Sequence, residues 1–399
     1  MLKSDHTNES TKKSKPRICF ISHDQGTQGA ELALVDLAKN LKRHKNYDVH
    51  VICPGNKGGL IDILTQADIS YSVIPFRWWM GRGSFFGKIY RFCQNVFALP
   101  LLIIKFKKER FDIIYSNSIT VNVGACAAKL TGIPHIWHIH EYGPFGVDDY
   151  RYSFDFGNRL SFLFMRWSTA QFIVISHAVS NAFKTFLPME KMKVVYQSIE
   201  SDDEGKALPI IKNCKNLKIV ILGALMKAKR QEDILRALPL LLSAGCQADV
   251  FLIGAEEPKY VSKLRKLAKK YDIEGNVHFC GTLKKPIPSV AACDISIISS
   301  SLEGFGRVTI ESMLASTTVI GTNSGATSEL ITDGVTGFLY TPGNNRTLAN
   351  LILALARNNE LSEKVSSNAK KWANERFNSI RYIEEIDSLL KPILSLNKK

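Results

Sequence analysis

Thirteen short runs of apolar, mostly β-branched residues recur along this chain, and each is separated from the next by a stretch long enough to hold a helix. Strands buried on both faces read as continuous apolar runs rather than as an alternation, and parallel pairing needs a crossover of helical length. The pattern therefore predicts an α/β protein with parallel sheets covered by helices. The runs fall into two sets, at 17–21, 49–53, 71–74, 113–115, 136–139, 172–175 and 194–196, then at 218–222, 249–253, 277–279, 295–298, 318–320 and 337–340. A chain of 399 residues is too long for one ordinary core, so each set is read as a domain. Residues 200–216, with Asp202, Asp203, Glu204, Gly205 and Pro209, form the linker between them. The start of the chain is polar and lysine-rich, without the apolar core of a secretory signal, and residues 1–16 are expected to be a disordered tail.

The strongest chemical signal follows the run at 295–298. Residues 303–311 read Glu-Gly-Phe-Gly-Arg-Val-Thr-Ile-Glu, two carboxylates eight positions apart around a glycine-bracketed turn. A strand, tight turn and helix start is where parallel α/β domains hold phosphate, because the first N–H groups of the helix have no partner inside it. Glu303 then lies before the turn, and Glu311 about 7 Å along the helix axis beyond it at 1.5 Å per residue. Carboxylates accept hydrogen bonds from hydroxyls, so such a pair can grip a sugar and a ribose on either side of a bound diphosphate.

Downstream, the segment continues through Ser324-Gly325-Ala326, Glu329, Asp333-Gly334 and Gly337-Phe338-Leu339. Together with the paired glutamates, this resembles the retaining glycosyltransferases of the "group 1" family. The resemblance implies two Rossmann-like domains facing across a cleft, the GT-B arrangement, with the nucleotide sugar on the C-terminal domain and the acceptor on the N-terminal one. It assigns the donor sugar and the ribose to Glu303 and Glu311. It also divides the chain into an N-terminal domain at 17–199, a nucleotide-sugar domain at 217–375 and a last helix at 376–399 that crosses back onto the first domain.

Other positions match less completely. The run at 219–222 ends in Gly223 and leads into Ala224-Leu225-Met226-Lys227-Ala228-Lys229-Arg230, where Lys229 matches a family lysine placed to neutralise the departing diphosphate. The family often has an arginine where Ala224 stands, which leaves Lys227 and Arg230 as substitutes. Gln28-Gly29-Ala30-Glu31 resembles a Gly-Gly-Ala-Glu loop with Gln28 in place of the first glycine, and Gly29 still permits close approach of the backbone. Within Ile133-Pro134-His135-Ile136-Trp137-His138-Ile139-His140-Glu141, alternation puts His138 and His140 on one strand face. His140 matches a cleft histidine of the family, and His138 is read as a satisfied interior side chain. Cys280-Gly281-Thr282-Leu283 is expected against the nucleobase. Val194 to Glu200 lacks the Asn-Gly that usually precedes the linker. The catalytic group is thus Glu303, His140 and Lys229. The donor-binding group is Gly29, Gly223, Lys227, Arg230, Leu283, Gly304, Phe305, Gly306, Arg307 and Glu311.

Composition narrows the partners. The formal charge of +15 is concentrated locally: between residues 76 and 110, Arg77, Arg82, Lys88, Arg91, Lys105, Lys107, Lys108 and Arg110 face only Glu109, interleaved with Trp78, Trp79, Phe85, Phe86, Tyr90, Phe92 and Phe97. Cations mixed with interfacial aromatics suit an anionic membrane surface. The apolar stretch 92–106, interrupted by Pro100 and Lys105, is shorter than the ~20 residues that span a bilayer. No nucleic-acid recognition motif accompanies the charge. The eight cysteines, without a Cys-x-x-Cys pair, read as reduced thiols of a cytoplasmic protein, peripheral on the inner face of the membrane. The expected activity is transfer of a hexosyl group from a nucleotide-diphosphate sugar to a glycan or lipid-linked hydroxyl, with retention and with no metal required. An epimerase or hydrolase on the same fold, and a non-catalytic partner protein, are the alternatives.

Overall fold

The computed structural model describes residues 15–27, 29–81, 84–147, 152–199 and 205–396. Most of the expected tail, Gln28, Arg82 and the linker acids Asp202, Asp203 and Glu204 lie outside the described residues.

The strands are β1 Arg17–Ile21, β2 Asp48–Cys53, β3 Ser70–Val73, β4 Met80–Gly81, β5 Ile113–Ser116, β6 His135–Ile139, β7 Ser153–Phe154, β8 Gln171–Val174 and β9 Met192–Val194, then β10 Leu217–Leu222, β11 Ala248–Ile253, β12 Val277–Gly281, β13 Ile295–Ile298, β14 Thr318–Thr322 and β15 Phe338–Tyr340. The helices of the first half are α1 Gly29–His44, α2 Leu60–Gln66, α3 Phe85–Glu109, α4 Val123–Thr131, α5 Gly157–Ser168 and α6 His177–Phe183. Those of the second are α7 Pro209–Lys212, α8 Glu232–Ser243, α9 Pro258–Lys270, α10 Ile287–Ala291, α11 Arg307–Leu314, α12 Thr327–Leu330, α13 Asn345–Arg357, α14 Asn359–Arg376 and α15 Ser379–Leu396.

Each apolar run became a parallel strand, although the one expected at 194–196 sits earlier, at β9. Seven strands form one sheet in the order β3-β2-β1-β5-β6-β8-β9, and six form the other in the order β12-β11-β10-β13-β14-β15. In both, strand order reverses beside the first strand of the set, between β1 and β5 and between β10 and β13. Loops leaving the carboxyl ends of strands at such a reversal diverge to opposite faces, and the crevice between them is where open α/β sheets bind ligands. The antiparallel pair β4–β7 was not foreseen, because two residues carry no periodic signal.

A single apolar cluster crosses from one sheet to the other. It joins Trp137, Phe172 and Phe183 of the first half to Phe305, Ile310 and Met313 of the second, and to Phe377 after α14. Helix α15 returns to the first sheet, where Tyr382, Ile383 and Ile386 pack in its core and the Tyr47 hydroxyl donates to Asp387 at 2.7 Å.

The basic aromatic segment departs from the sequence reading. Helix α3 runs unbroken for 25 residues through Pro100, with Ser84 capping its start by accepting from the Gly87 N–H. Pro100 lies on the outward side, and the opposite stripe of Ala98, Leu102 and Phe106 anchors the helix on the core, so tertiary packing outweighs the lost hydrogen bond. By length and composition α3 is apolar enough to cross a membrane, and only 17% of its most apolar window is buried inside the protein.

Candidate active site

The carboxyl end of β13 leads into a serine-rich loop that is stitched to the turn after β10. The Ser299 hydroxyl donates to the Lys229 carbonyl at 2.7 Å, and the Ser301 N–H donates to the Ala228 carbonyl at 2.9 Å. These bonds bring two chain-distant segments side by side, and their side chains meet. Lys229 Nζ lies 2.5 Å from Glu303 Oε1, which also accepts from the Ser300 hydroxyl at 2.5 Å. The pair is largely enclosed, at 18% and 15% side-chain exposure, so water screens it only in part.

Beyond Glu303, the chain turns at two glycines that admit no side chain. A Cβ on Gly304 would lie 3.0 Å from the His140 carbonyl oxygen of the opposite domain, and Gly306 takes φ +89° as it opens α11. Gly306, Arg307 and Val308, the head of α11, line the crevice. Arg307 Nη2 is 3.6 Å from Glu311 Oε1, whereas Nη1 is buried without a hydrogen-bond partner among the described residues. A buried guanidinium nitrogen left unpaired is costly, and an anion in the crevice would satisfy it. Burial raises the Glu311 carboxyl above its ordinary pKa, and Arg307 offsets only part of that effect.

The facing wall comes from the ends of β1, β5 and β6. His140 is buried and neutral: burial, and then the neighbouring His138 and His23, push its pKa well below the ordinary value. Its Nδ1 accepts from Gln197 Nε2 at 2.8 Å, and its Nε2 donates to Asn117 Oδ1 at 3.0 Å. Asn117 Nδ2 in turn donates to the Ala30 carbonyl at 2.8 Å, so the chain Gln197, His140, Asn117 holds the start of α1 in place. Both ring nitrogens are thereby spent inside the protein. His138 is only half satisfied: Nδ1 meets the Tyr115 hydroxyl at 2.9 Å, while Nε2 has no hydrogen-bond partner among the described residues.

Next to His140 sits an acid–base group to which the sequence reading gave no role. His23 Nδ1 is 3.0 Å from Glu31 Oε1, an ion-pair contact, and Glu31 is 2% exposed. Burial alone would lower the His23 pKa; the proximity of Glu31, with the charges of Glu141 and Asp24, outweighs it and raises the value. Glu141 accepts from the Ser118 hydroxyl at 2.8 Å and the Ile119 N–H at 3.3 Å, and burial still lifts its pKa. The available signal was an acid in the first turn of the helix after the first strand, next to a strand-end histidine.

These walls enclose a cavity of about 370 Å³ between the two sheets. Of the sequence candidates, Gly29, His140, Lys229, Glu303, Gly304, Phe305, Gly306 and Arg307 line it, together with His23, Glu31, Glu141, Trp78 and Gln197. Gly223, Lys227, Arg230, Leu283 and Glu311 are not in its wall. Arg230 turns to Asp233, with Nη2 2.9 Å from Oδ1, and Asp233 also accepts from the Gly343 N–H at 2.9 Å. Leu283 packs against the apolar cluster of Val220, Phe251 and Val290, and Lys227 is exposed.

The walls are held together across the crevice. Tyr142 donates to the Glu303 carbonyl at 3.1 Å and Ser176 to the Gly304 carbonyl at 2.6 Å. Glu329, from α12, accepts from the His177 N–H at 2.9 Å, from the Ala178 N–H and from the Tyr196 hydroxyl at 2.7 Å.

Two family sequence models match the chain, Glycosyltransferase Family 4 over residues 27–203 and Glycosyl transferases group 1 over residues 209–372. An uncharacterized glycosyltransferase of Methanocaldococcus jannaschii, MJ1069, is 23% identical over 405 residues, covering 92% of this chain and 95% of that protein. The N-acetylgalactosamine-N,N'-diacetylbacillosaminyl-diphospho-undecaprenol 4-alpha-N-acetylgalactosaminyltransferase of Campylobacter jejuni is 28% identical over 187 residues, 46% of this chain and 49% of that one. The crystal structure of Anabaena Alr3699/HepE in complex with UDP-glucose superposes with a TM-score of 0.77 at 25% identity, over 94% of this chain and 99% of that one.

Proposed function

The chain belongs to the group 1 glycosyl transferases, nucleotide-sugar-dependent enzymes of GT-B fold, and from that premise we propose that it transfers a hexosyl unit from a UDP-sugar to a hydroxyl acceptor in glycan or glycolipid synthesis. Retention of anomeric configuration follows the family. The observation that carries the reading is the convergence of Lys229, the unpaired Arg307 Nη1 and the head of α11 on one cavity that also holds Glu303.

In this reading the diphosphate lies against the first N–H groups of α11, where the helix dipole favours negative charge. Arg307 Nη1 gains its partner, and Lys229 exchanges part of its contact with Glu303 for the phosphate. Charge grows on the diphosphate as the glycosidic bond lengthens, and fixed donors aimed at it stabilise the transition state more than the ground state. These cations take the place of a metal ion. Glu303, released in part from Lys229, accepts from sugar hydroxyls, and Glu311 reaches the ribose. The acceptor hydroxyl enters on the leaving-group side from the wall of His23, Glu31 and Glu141, and its proton passes to the diphosphate oxygen as the new bond forms. His140 positions Asn117 and the loop at Ala30, which shape that wall. The UDP donor is drawn from Alr3699/HepE, and a lipid-linked acceptor from the Campylobacter jejuni relative.

The test is a nucleotide-sugar panel read by thermal shift and by UDP release with and without acceptor. UDP release that needs an acceptor supports transfer; equal release without one means hydrolysis, and no shift with any nucleotide sugar defeats the reading. Glu311→Ala should weaken UDP binding more than turnover at saturating donor; the reverse pattern would exchange the roles of the two glutamates.

A further inference from the structure

Helix α3 is apolar on both sides. Its inner stripe, Ala98, Leu102 and Phe106, is fully packed, but its outer stripe carries Phe86, Tyr90, Phe97, Leu101 and Ile104 at 80, 54, 76, 52 and 64% exposure. A surface helix of a soluble domain has a polar face opposite its buried one, but here the polar side chains before Lys107, namely Lys88, Arg91, Gln94, Asn95 and Lys105, are all partly buried, and the exposed positions up to Ile104 carry apolar or aromatic side chains. The patch does not stop at α3. Phe92 meets Phe156 with ring centroids 5.6 Å apart, and from there Leu160, Leu163 and Trp167 of α5 continue it, all at least half exposed. Continuous apolar surface on this scale marks a docking site.

We propose that the outer face of α3 and α5 docks on an anionic lipid bilayer, with α3 lying in the plane of the interface. The choice of occupant rests on charge. Lys107, Lys108, Arg159 and Arg166 are exposed around the patch, and Lys129 sits 4.8 Å over the Trp167 ring. Neither α4 nor α5 contains an acid, and the single acid of α3, Glu109, is held by Arg17 at 3.2 Å. Cations around aromatics match an anionic headgroup layer, and the same charges set two copies of the chain against each other. The packed stripe fixes the orientation, because Ala98, Leu102 and Phe106 hold the C-terminal half of the helix to the core and leave its outer face to lie on the membrane rather than cross it.

A second cavity of about 520 Å³, lined by Arg77, Trp78, Arg91 and Tyr152, adjoins the first turns of α3 and shares His23, Trp78 and Tyr152 with the donor cavity. Docked this way, the enzyme takes its acceptor from the lipid phase. That consequence rests on the glycosyltransferase reading, whereas the docking surface does not.

Flotation of the full-length protein with vesicles of phosphatidylcholine, alone or with about one third phosphatidylglycerol, tests the surface at low and high salt. The anionic vesicles should carry about tenfold more protein, and high salt should remove most of that gain. Phe86→Ser/Phe97→Ser/Ile104→Ser should abolish flotation while far-UV circular dichroism and the thermal shift with UDP stay at parent values, so a failed donor site is told apart from a failed surface. Lys107→Glu/Lys108→Glu, with the apolar patch intact, should lose the anionic preference alone. Parent protein that stays with the soluble fraction overturns the proposal, as does a triple variant that floats normally. A monomer–dimer equilibrium abolished by the triple variant would give the face to a second copy instead.

Discussion

Glu329 is the most exposed test of how the two halves close. Its carboxylate accepts from two N–H groups at the head of α6 and from the Tyr196 hydroxyl, all three belonging to the opposite domain. Ser176 caps the same helix by accepting from the Val179 N–H at 3.1 Å, so Glu329 completes from across the crevice a cap the helix cannot finish alone. Hydrogen bonds to charged groups contribute about 1.5–3 kcal/mol each. Glu329 is only half-buried, so the low end applies, and three such bonds amount to about 4 kcal/mol of closure. Glu329→Gln keeps one acceptor oxygen but turns its NH₂ group towards an N–H. It should therefore forfeit about half, roughly 2 kcal/mol, or about a thirtyfold fall in the closed-to-open ratio at 1.36 kcal/mol per decade. Tyr196→Phe removes one bond, about 1.4 kcal/mol, and should cost about tenfold; the double variant should show less than additive loss, because both changes act on one carboxylate. Small-angle scattering reads the separation of the halves, and kcat/KM reads the population competent for chemistry. An unchanged radius of gyration with parent-like kcat/KM in Glu329→Gln would refute the latch.

Three further outcomes follow from the same geometry. Glu303→Gln should lower kcat by about 10- to 100-fold, the worth of one charge-assisted bond to a sugar hydroxyl, and Lys229→Met should lower it by about 10²–10³-fold as a lost stabiliser of the leaving group; steady-state kinetics with parent-like values for either would remove it from the site. Gly304→Ala puts a Cβ 3.0 Å from the His140 carbonyl oxygen, so it should reduce kcat/KM and widen the scattering profile with little change in Tm. His50, with its pKa lowered to about 4, and His135 and His138, each lowered to about 3, are held neutral chiefly by burial. Between the unfolded value of about 6.5 and those folded values the unfolded chain binds more protons, so each ring costs up to about 1.4 kcal/mol of stability per pH unit of acidification, with stability intact above pH ~6.5. A urea midpoint that stays flat from pH 7 to pH 5 would contradict this.

The residues show why the sequence disclosed one wall of the cavity and hid the other. Positions 303–307 are contiguous, and their chemistry follows from local rules: a glycine where φ must be positive, a helix head where an anion can sit. Parallel strands were legible for the same reason, since a run of buried β-branched residues signals itself. Lys229 was legible only through family likeness, because its meeting with Glu303 depends on Ser299 and Ser301 bonding to the neighbouring turn, which no local pattern announces. Arg230 looked equally suitable, but Asp233, three residues on, takes its guanidinium, and short-range charge pairing of that kind can remove a cation from a site. The N-terminal wall joins residues 23, 31, 117, 140, 141 and 197, brought together by strand order alone. His140 was singled out as a group for the substrate, yet its nitrogens bind Asn117 and Gln197, both beyond the reach of any helix or strand period. The helix through Pro100 makes the complementary point: a proline signals a break only where the rest of the helix is free to leave, and here the stripe of Ala98, Leu102 and Phe106 holds it to the sheet. Local chemistry is thus written in consecutive residues, whereas the partners that spend or spare each charge are fixed only by topology.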